Sequence, residues 1–162
     1  MRLLRTFSLA LLLAWVSAGH AAAPLPSPFI PGSMNTVASA HAGKPFILAF
    51  WSLSCTYCKA NLEQFGKLAA EYPQLPLVLV ATDSAEEGAA IAAALDRYGL
   101  GNIQSWVFAD TFVERLYFEI DRKWRGELPR TYFYDAGHRA RAVSGKLDEV
   151  ETANWVKREL VP

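Results

Sequence analysis

Phe46-Ile47-Leu48-Ala49-Phe50-Trp51-Ser52-Leu53-Ser54-Cys55-Thr56-Tyr57-Cys58 is the stretch that decides the fold of this chain. Its first six residues are continuously apolar and of strand length, the pattern of a strand covered on both faces. Beyond the second cysteine, Leu62, Phe65, Leu68, Ala69 and Tyr72 recur at helical spacing until Pro73 stops the pattern. A buried strand therefore hands over to a helix, and the cysteine pair sits at the junction.

That position gives the pair its chemistry. The first turn of a helix has unpaired N–H groups and the positive end of the macrodipole, so a thiolate placed there is stabilised and its pKa falls. Two intervening residues let the second sulfur reach the first. Cys55, nearer the helix terminus and the loop, is expected to be exposed and acidic and is the candidate nucleophile. Cys58, inside the first turn, is the candidate resolving thiol. A purely structural disulfide at this spacing would staple only a tiny loop. A metal site would have to draw further ligands from His41 and His138. Covalent haem attachment needs a histidine directly after the second cysteine, and position 59 is Lys. Redox exchange is the favoured reading of the three that remain.

Outward from the junction, Leu77 to Ala81 reads as a second buried strand, and Ser84 with Glu87 as a capping box. Ile91, Leu95 and Tyr98 continue a helix that closes at Gly99. Ser105 to Ala109 reads as a third strand, and Thr111 with Glu114 repeats the capping-box spacing before another helix. Thr131 to Tyr134, the Asp135-Ala136-Gly137 turn and Arg139 to Val143 give a hairpin. A last amphipathic helix covers about 148 to 160. The order β-α-β-α-β-α-β-β-α implies an α/β domain with a mostly parallel central sheet and an antiparallel edge. Towards the N-terminus, Thr36 to Ala42 is a short helical piece. Pro24, Pro26, Pro28, Pro31 and Gly32 predict a flexible leader over 24–35, which leaves 36–162 as the folded domain.

The sequence has 162 residues, 16 basic and 16 acidic, with 52% hydrophobic residues and 2 cysteines. This is a globular profile. Balanced charge argues against a nucleic-acid partner, and two cysteines cannot build a four-thiolate zinc site. Residues 1–23 carry Arg2 and Arg5, an apolar run from Phe7 to Ala18 and then small residues, the three-part form of a secretory signal peptide. Cleavage is expected between about 18 and 23, and an uncleaved N-terminal membrane anchor is the lesser alternative. Export to an oxidising compartment, the periplasm, would let the thiol pair exist as a disulfide.

Over about 43 to 160 the chain resembles the thioredoxin superfamily and, more narrowly, the exported thiol–disulfide oxidoreductases of the TlpA/ResA type. The resemblance rests on Gly43-Lys44-Pro45, Phe50-Trp51 ahead of Cys55, the C-x-x-C pair, and Leu128-Pro129-Arg130-Thr131-Tyr132-Phe133 before the Asp135/Gly137 turn. It implies a thioredoxin fold, a central mixed sheet flanked by helices, with the helix and strand between 84 and 109 as the TlpA-like insertion. It also implies a cis peptide bond between Leu128 and Pro129; without it, Pro129 reads as an ordinary trans residue opening a strand. Substrate contacts are expected from Leu128, Pro129, Trp51, Thr56, Tyr57 and Arg130. Arg122, Lys123, Arg125 and Arg130 surround Trp124 and Pro129. They form either a solvated loop with Trp124 in the core or a basic rim for an acidic or aromatic substrate segment.

The sequence departs from the pattern in several places. Ala49 stands where thioredoxins carry a buried Asp, Asn61 where TlpA-like reductases carry Glu, and Glu63 where a helix-kinking proline is common. The Thr56-Tyr57 dipeptide has no proline. Missing carboxylates favour a thiolate, so Cys55 is expected to be acidic and the pair less reducing than thioredoxin's at about −270 mV. The resulting expectation is a periplasmic, monomeric protein-disulfide reductase serving specific substrates, cytochrome c or copper-centre assembly among them. It would need no metal and no cofactor beyond its own disulfide, and it would draw electrons from a membrane thiol donor. The alternatives are a disulfide-forming oxidant or isomerase, a non-catalytic binding module of the same fold, and a copper-handling protein using both cysteines and a histidine.

Overall fold

Six strands form one sheet in the order β1-β4-β3-β2-β5-β6. The computed structural model describes residues 23–160, so the expected targeting segment and its cleavage lie outside the described residues, Ala23 excepted. The strands are β1 (Ser27–Phe29), β2 (Phe46–Trp51), β3 (Leu77–Ala81), β4 (Gln104–Phe108), β5 (Arg130–Tyr134) and β6 (Ala140–Ser144). The helices are α1 (Ser33–Ala40), α2 (Cys58–Glu71), α3 (Gly88–Arg97), α4 (Val113–Ile120) and α5 (Glu149–Leu160). β1, β4, β3 and β2 run parallel, while β5 and β6 pair antiparallel. This is the expected mixed sheet.

Strand alternation sorts the core into two halves. Ile47, Ala49 and Trp51 of β2 join Cys58, Leu62 and Phe65 of α2, Ile91 and Leu95 of α3, and Trp155 of α5. Phe46, Leu48 and Phe50 face the other way, towards Phe29, Val37 of α1, Phe108, Leu116 of α4, Trp124 and Tyr132. Every β2 residue is buried, as its unbroken apolar run requires. A Cβ at Gly66 of α2 would collide with the Tyr98 carbonyl, so glycine is what lets the C-terminal end of α3 meet the middle of α2.

The leader expectation is corrected. Ser27, Pro28 and Phe29 pair with Trp106, Val107 and Phe108 as an edge strand, and α1 begins at Ser33. The folded unit therefore starts before residue 36. Phe29 is the anchor: it is fully buried, stacks on Phe108 and meets Phe50 and Trp106 edge-on. Pro28 is tolerated because an edge strand has one side free of ladder bonds. Gly32, at φ 90°, turns the chain into α1, and its N–H donates to the Glu119 carboxylate at 2.9 and 3.0 Å.

The two capping boxes part company. Ser84 and Glu87 form the reciprocal box, around a single 3-10 turn before α3. Thr111 and Glu114 do not: α4 starts at Val113 with Phe112 at its N-cap, one residue later than the box requires, and the Phe112 N–H donates to the Asp110 carboxylate at 2.7 Å.

Candidate functional site

β2 leaves the sheet at Trp51, whose carbonyl accepts both the N–H and the hydroxyl of Thr82 at the end of β3. Ser52 to Cys55 then make one turn, closed by the Cys55 N–H on the Ser52 carbonyl at 3.1 Å. The Asp83 carboxylate braces this turn from outside. Its Oδ1 accepts the Ser52 hydroxyl at 2.9 Å and the Leu53 N–H at 3.1 Å, and its Oδ2 lies 3.1 Å from the same N–H.

Cys55 and Cys58 are joined by a disulfide, with S–S 2.04 Å and Cα atoms 5.3 Å apart. α2 begins at Cys58 with no side-chain cap from Tyr57. The sulfur of Cys55 fills that place, accepting the Cys58 N–H at 3.1 Å. This N–H at the helix start is shared between the Cys55 sulfur and the Cys55 carbonyl, 3.2 Å away. The two cysteines differ sharply in access: Cys58 is 1% exposed, whereas Cys55 is only half-buried.

The surroundings of Cys58 are uncharged. Ala49 and Asn61 are both buried, at the two positions where the resemblance led one to look for carboxylates. Asn61 has a different employment: its amide donates to the Gly145 carbonyl at 3.2 Å, and its oxygen accepts the Leu147 N–H at 2.9 Å. Gly145 in turn donates its N–H to the Pro129 carbonyl at 2.9 Å. One side chain thus ties the helix bearing Cys58 to the proline segment. Glu63 is solvent-exposed on α2.

The other sequence-derived residues fall into two groups. Thr56 is exposed and Tyr57 is 74% exposed, so both flank the disulfide on the outside. The Leu128–Pro129 peptide is cis; Pro129 is buried and Leu128 half-buried, packed against both halves of the core. Trp51 and Arg130, also expected as substrate contacts, are placed differently. Trp51 is 4% exposed and belongs to the core with Cys58. Arg130 alternates with Thr131, and its side chain lies on the sheet face opposite Cys58. There it pairs with Asp121 at 2.9 Å, donates to the Ser144 hydroxyl at 2.7 Å and covers the Tyr132 ring.

The rest of the basic strip is likewise folded onto itself. Arg125 donates to the Arg122 carbonyl at 2.7 Å, and Arg122 lies over Phe118. Trp124 is in the core, with its indole N–H on the Glu127 carbonyl. Burial pushes the Tyr132 phenol up to about 12, so it stays neutral beside Asp121. The Lys123 backbone N–H, followed by the Arg130 and Tyr132 bonds, holds the Asp121 carboxyl below its ordinary range despite partial burial.

Neither histidine considered as a metal ligand is near the cysteines. His41 stacks on Phe46 at the start of β2, and the His138 ring nitrogen bonds to the His41 carbonyl. β2 itself is six residues long, roughly 20 Å. The copper-handling reading that joined both cysteines to a histidine loses its geometry here. Asp83 and Gly145 are site residues that the sequence reading missed. The only local signal for Asp83 was its place two residues past the end of a buried strand.

A parallel sheet whose strand β2 delivers a C-x-x-C pair to the start of a helix, beside a cis-proline opening an antiparallel strand, defines a thiol:disulfide oxidoreductase-like fold. Comparison with solved structures agrees. A secreted Mycobacterium tuberculosis disulfide oxidoreductase homologous to E. coli DsbE is 22% identical, with TM-score 0.59 over 74% of this chain and 85% of its own. M. tuberculosis DsbF is 23% identical, with TM-score 0.56 over 74% and 84%. A thioredoxin-family thiol:disulfide interchange protein from Chlorobium tepidum is 17% identical, with TM-score 0.57 over 76% and 84%. The chain has the fold of the thioredoxin-like thiol:disulfide oxidoreductases. No protein-family model matches the chain, and no curated protein does.

Proposed function

We propose that this protein is an exported thiol–disulfide oxidoreductase that reduces disulfides in specific protein substrates. One observation carries the reading: the sulfur of Cys55 is reachable and accepts the Cys58 N–H at the start of α2, a donor it shares with the Cys55 carbonyl, while Cys58 is sealed beneath it. In the reduced protein the same N–H faces the Cys55 thiolate, where a charge-assisted bond and the helix dipole lower its pKa. That thiolate attacks one sulfur of a substrate disulfide, and the other substrate sulfur leaves as a thiolate. Cys58 then gives up its proton, attacks the Cys55 sulfur and releases the second substrate thiolate. The substrate gains two electrons, and the Cys55–Cys58 disulfide forms. With Ala49 and Asn61 in place of carboxylates, the Cys58 proton leaves through water.

Thr56, Tyr57, Leu128 and Pro129 are the residues we assign to the substrate chain. Regeneration calls for an external dithiol, and a membrane thiol donor fits an exported protein. The amino-terminal cationic and apolar segment supports export. Among the described residues, no helix is long and apolar enough to cross a membrane. A second reading, a disulfide-forming oxidant, draws support from the uncharged setting of Cys58, since a stabilised thiolate makes the disulfide easier to reduce. Cys58→Ser tests the assignment. It is expected to accumulate mixed disulfides through Cys55 and to lose insulin-reducing turnover, whereas Cys55→Ser traps nothing. Mixed disulfides trapped through Cys58 instead would overturn the assignment. A measured potential well above thioredoxin's, together with oxidation of reduced substrates, would favour the oxidant.

A further inference from the structure

We infer that Asp83 is a positioning residue for the attacking sulfur, holding the Ser52–Cys55 turn against the rigid end of β3. The inference rests on the oxidoreductase reading above and adds to it the element that fixes the nucleophile. Leu53 and Cys55 pack on the cysteine-side core, but between Trp51, the last residue of β2, and Cys58, the first of α2, the chain's own hydrogen bonds are short-range. These are the Cys55 N–H on the Ser52 carbonyl, the Cys58 N–H on Cys55, and contacts among Ser52 and Ser54. None of them ties the turn to the sheet. Asp83 does. It stands two residues beyond β3, whose five residues are all buried. Thr82 just before it continues the pairing with β2 through the Trp51 carbonyl.

The brace takes the two groups that would otherwise leave the turn free. The Leu53 N–H is a backbone donor with no backbone partner of its own, and the Ser52 hydroxyl is the hub to which Ser54 bonds through both its N–H and its hydroxyl. Both donate to the same oxygen, Asp83 Oδ1. A carboxylate accepting from two donors is a stronger clamp than a neutral acceptor. The turn must also persist when the disulfide is open and no longer ties Cys55 to α2. In that state Asp83 is what keeps Cys55 under the helix N-terminus and in line with an incoming disulfide. Small misplacements of a reacting atom are costly in rate.

The test uses the full-length protein and the Cys58→Ser background, in which Cys55 reacts alone. The measurement is the pH-independent rate constant of the Cys55 thiolate with oxidised glutathione, together with the pKa from the pH profile and far-UV circular dichroism. Asp83→Ala is expected to slow the thiolate about tenfold, as loss of a hydrogen-bonded anchor and orientation would do. Asp83→Asn keeps an oxygen for the Ser52 and Leu53 donors and is expected to stay within about threefold of the parent. Ser52→Ala, which removes the bond to Asp83 together with the two Ser54 contacts but leaves the Leu53 N–H on Asp83, is expected to fall between them and serves if Asp83→Ala does not fold. A parental rate in both Asp83→Ala and Ser52→Ala overturns the inference. So does an equal loss in Asp83→Ala and Asp83→Asn, which would assign the effect to charge rather than position. Failure of the oxidoreductase reading looks different: the parent itself would show no exchange beyond that of a free thiol.

Discussion

The two faces of the sheet are built from opposite materials. The face that carries the cysteines is mostly aliphatic, with Ile47, Leu62, Leu79, Ile91 and Leu95 around Trp51 and Cys58. Its buried polar groups near the site are neutral: Asn61 is satisfied at both ends of its amide, whereas the Trp51 indole N–H has no partner among the described residues. The opposite face is aromatic, with Phe29, Phe46, Phe50, Phe108, Trp124 and Tyr132 in successive edge and stacked contacts. It also receives the Arg130–Asp121 pair, whereas on the cysteine side Arg141 lies out over Phe133 beside Glu151. The difference shows how a chain can place cations one residue from its active-site proline and still keep them off the sulfurs. Strand alternation does the separating.

Four perturbations would break or sharpen this contrast. The largest is Trp124→Ala on the aromatic face. It is expected to lose about 3–5 kcal/mol of stability in denaturant melts while leaving the exchange rate of the folded protein unchanged. A parallel collapse of reactivity would mean that the faces are not independent. Next comes Ala49→Asp, which puts a carboxyl on the cysteine face. Burying it should cost about 2 kcal/mol or more, and its charge should make the redox midpoint more negative, since a nearby anion disfavours the thiolate. An unmoved or more positive midpoint would dissociate the pair's potential from the charge of its surroundings.

Arg130→Gln is smaller. Breaking its half-screened ion pair should cost about 1 kcal/mol, with exchange within about twofold of the parent at any salt concentration. A salt-dependent loss of rate would restore Arg130 as a substrate contact. The smallest effect concerns His41. Burial first, and then the nearby His138 and Lys44, hold its pKa below 6.5, against a smaller opposing bond from Gln104. The unfolded chain therefore binds this proton more readily, and stability falls as pH drops below about 6.5. In His41→Gln, equilibrium unfolding at pH 7.5 and pH 5 should differ less than in the parent. An unchanged difference would take His41 out of the titration.

What the sequence made legible was local. The Phe46–Trp51 run, the C-x-x-C pair and the helical spacing after it are contiguous, so strand, junction and helix could be read together. The Ser84–Glu87 box was readable for the same reason. Thr111–Glu114 had the identical spacing and failed, because α4 starts one residue later with Phe112 at its N-cap, which puts Glu114 at the second helical position instead of the third. β1 was hidden by its composition: three residues including a proline have no period, and the partner strand β4 lies far along the chain. The brace from Asp83 to Ser52 and the tie from Asn61 to Gly145 are likewise long-range, with no spacing to betray them. Arg130 is a different case. Its alternation with Thr131 was available, and closeness in sequence to Pro129 hid the face on which it lies.

β1 also sets a limit on how far the amino terminus can be trimmed. A chain cleaved between about 18 and 23 would keep Ser27–Phe29 as a short, proline-bearing rim along β4. A cut anywhere beyond Phe29 would strip that rim and bare the backbone of Gln104–Phe108 as an unpaired parallel edge, the kind of surface on which other chains add. Protein made from residue 36 onward would keep its cysteines but present the longer β4 as its edge, so the proline-rich stretch that reads as a leader supplies the sheet's short outer strand.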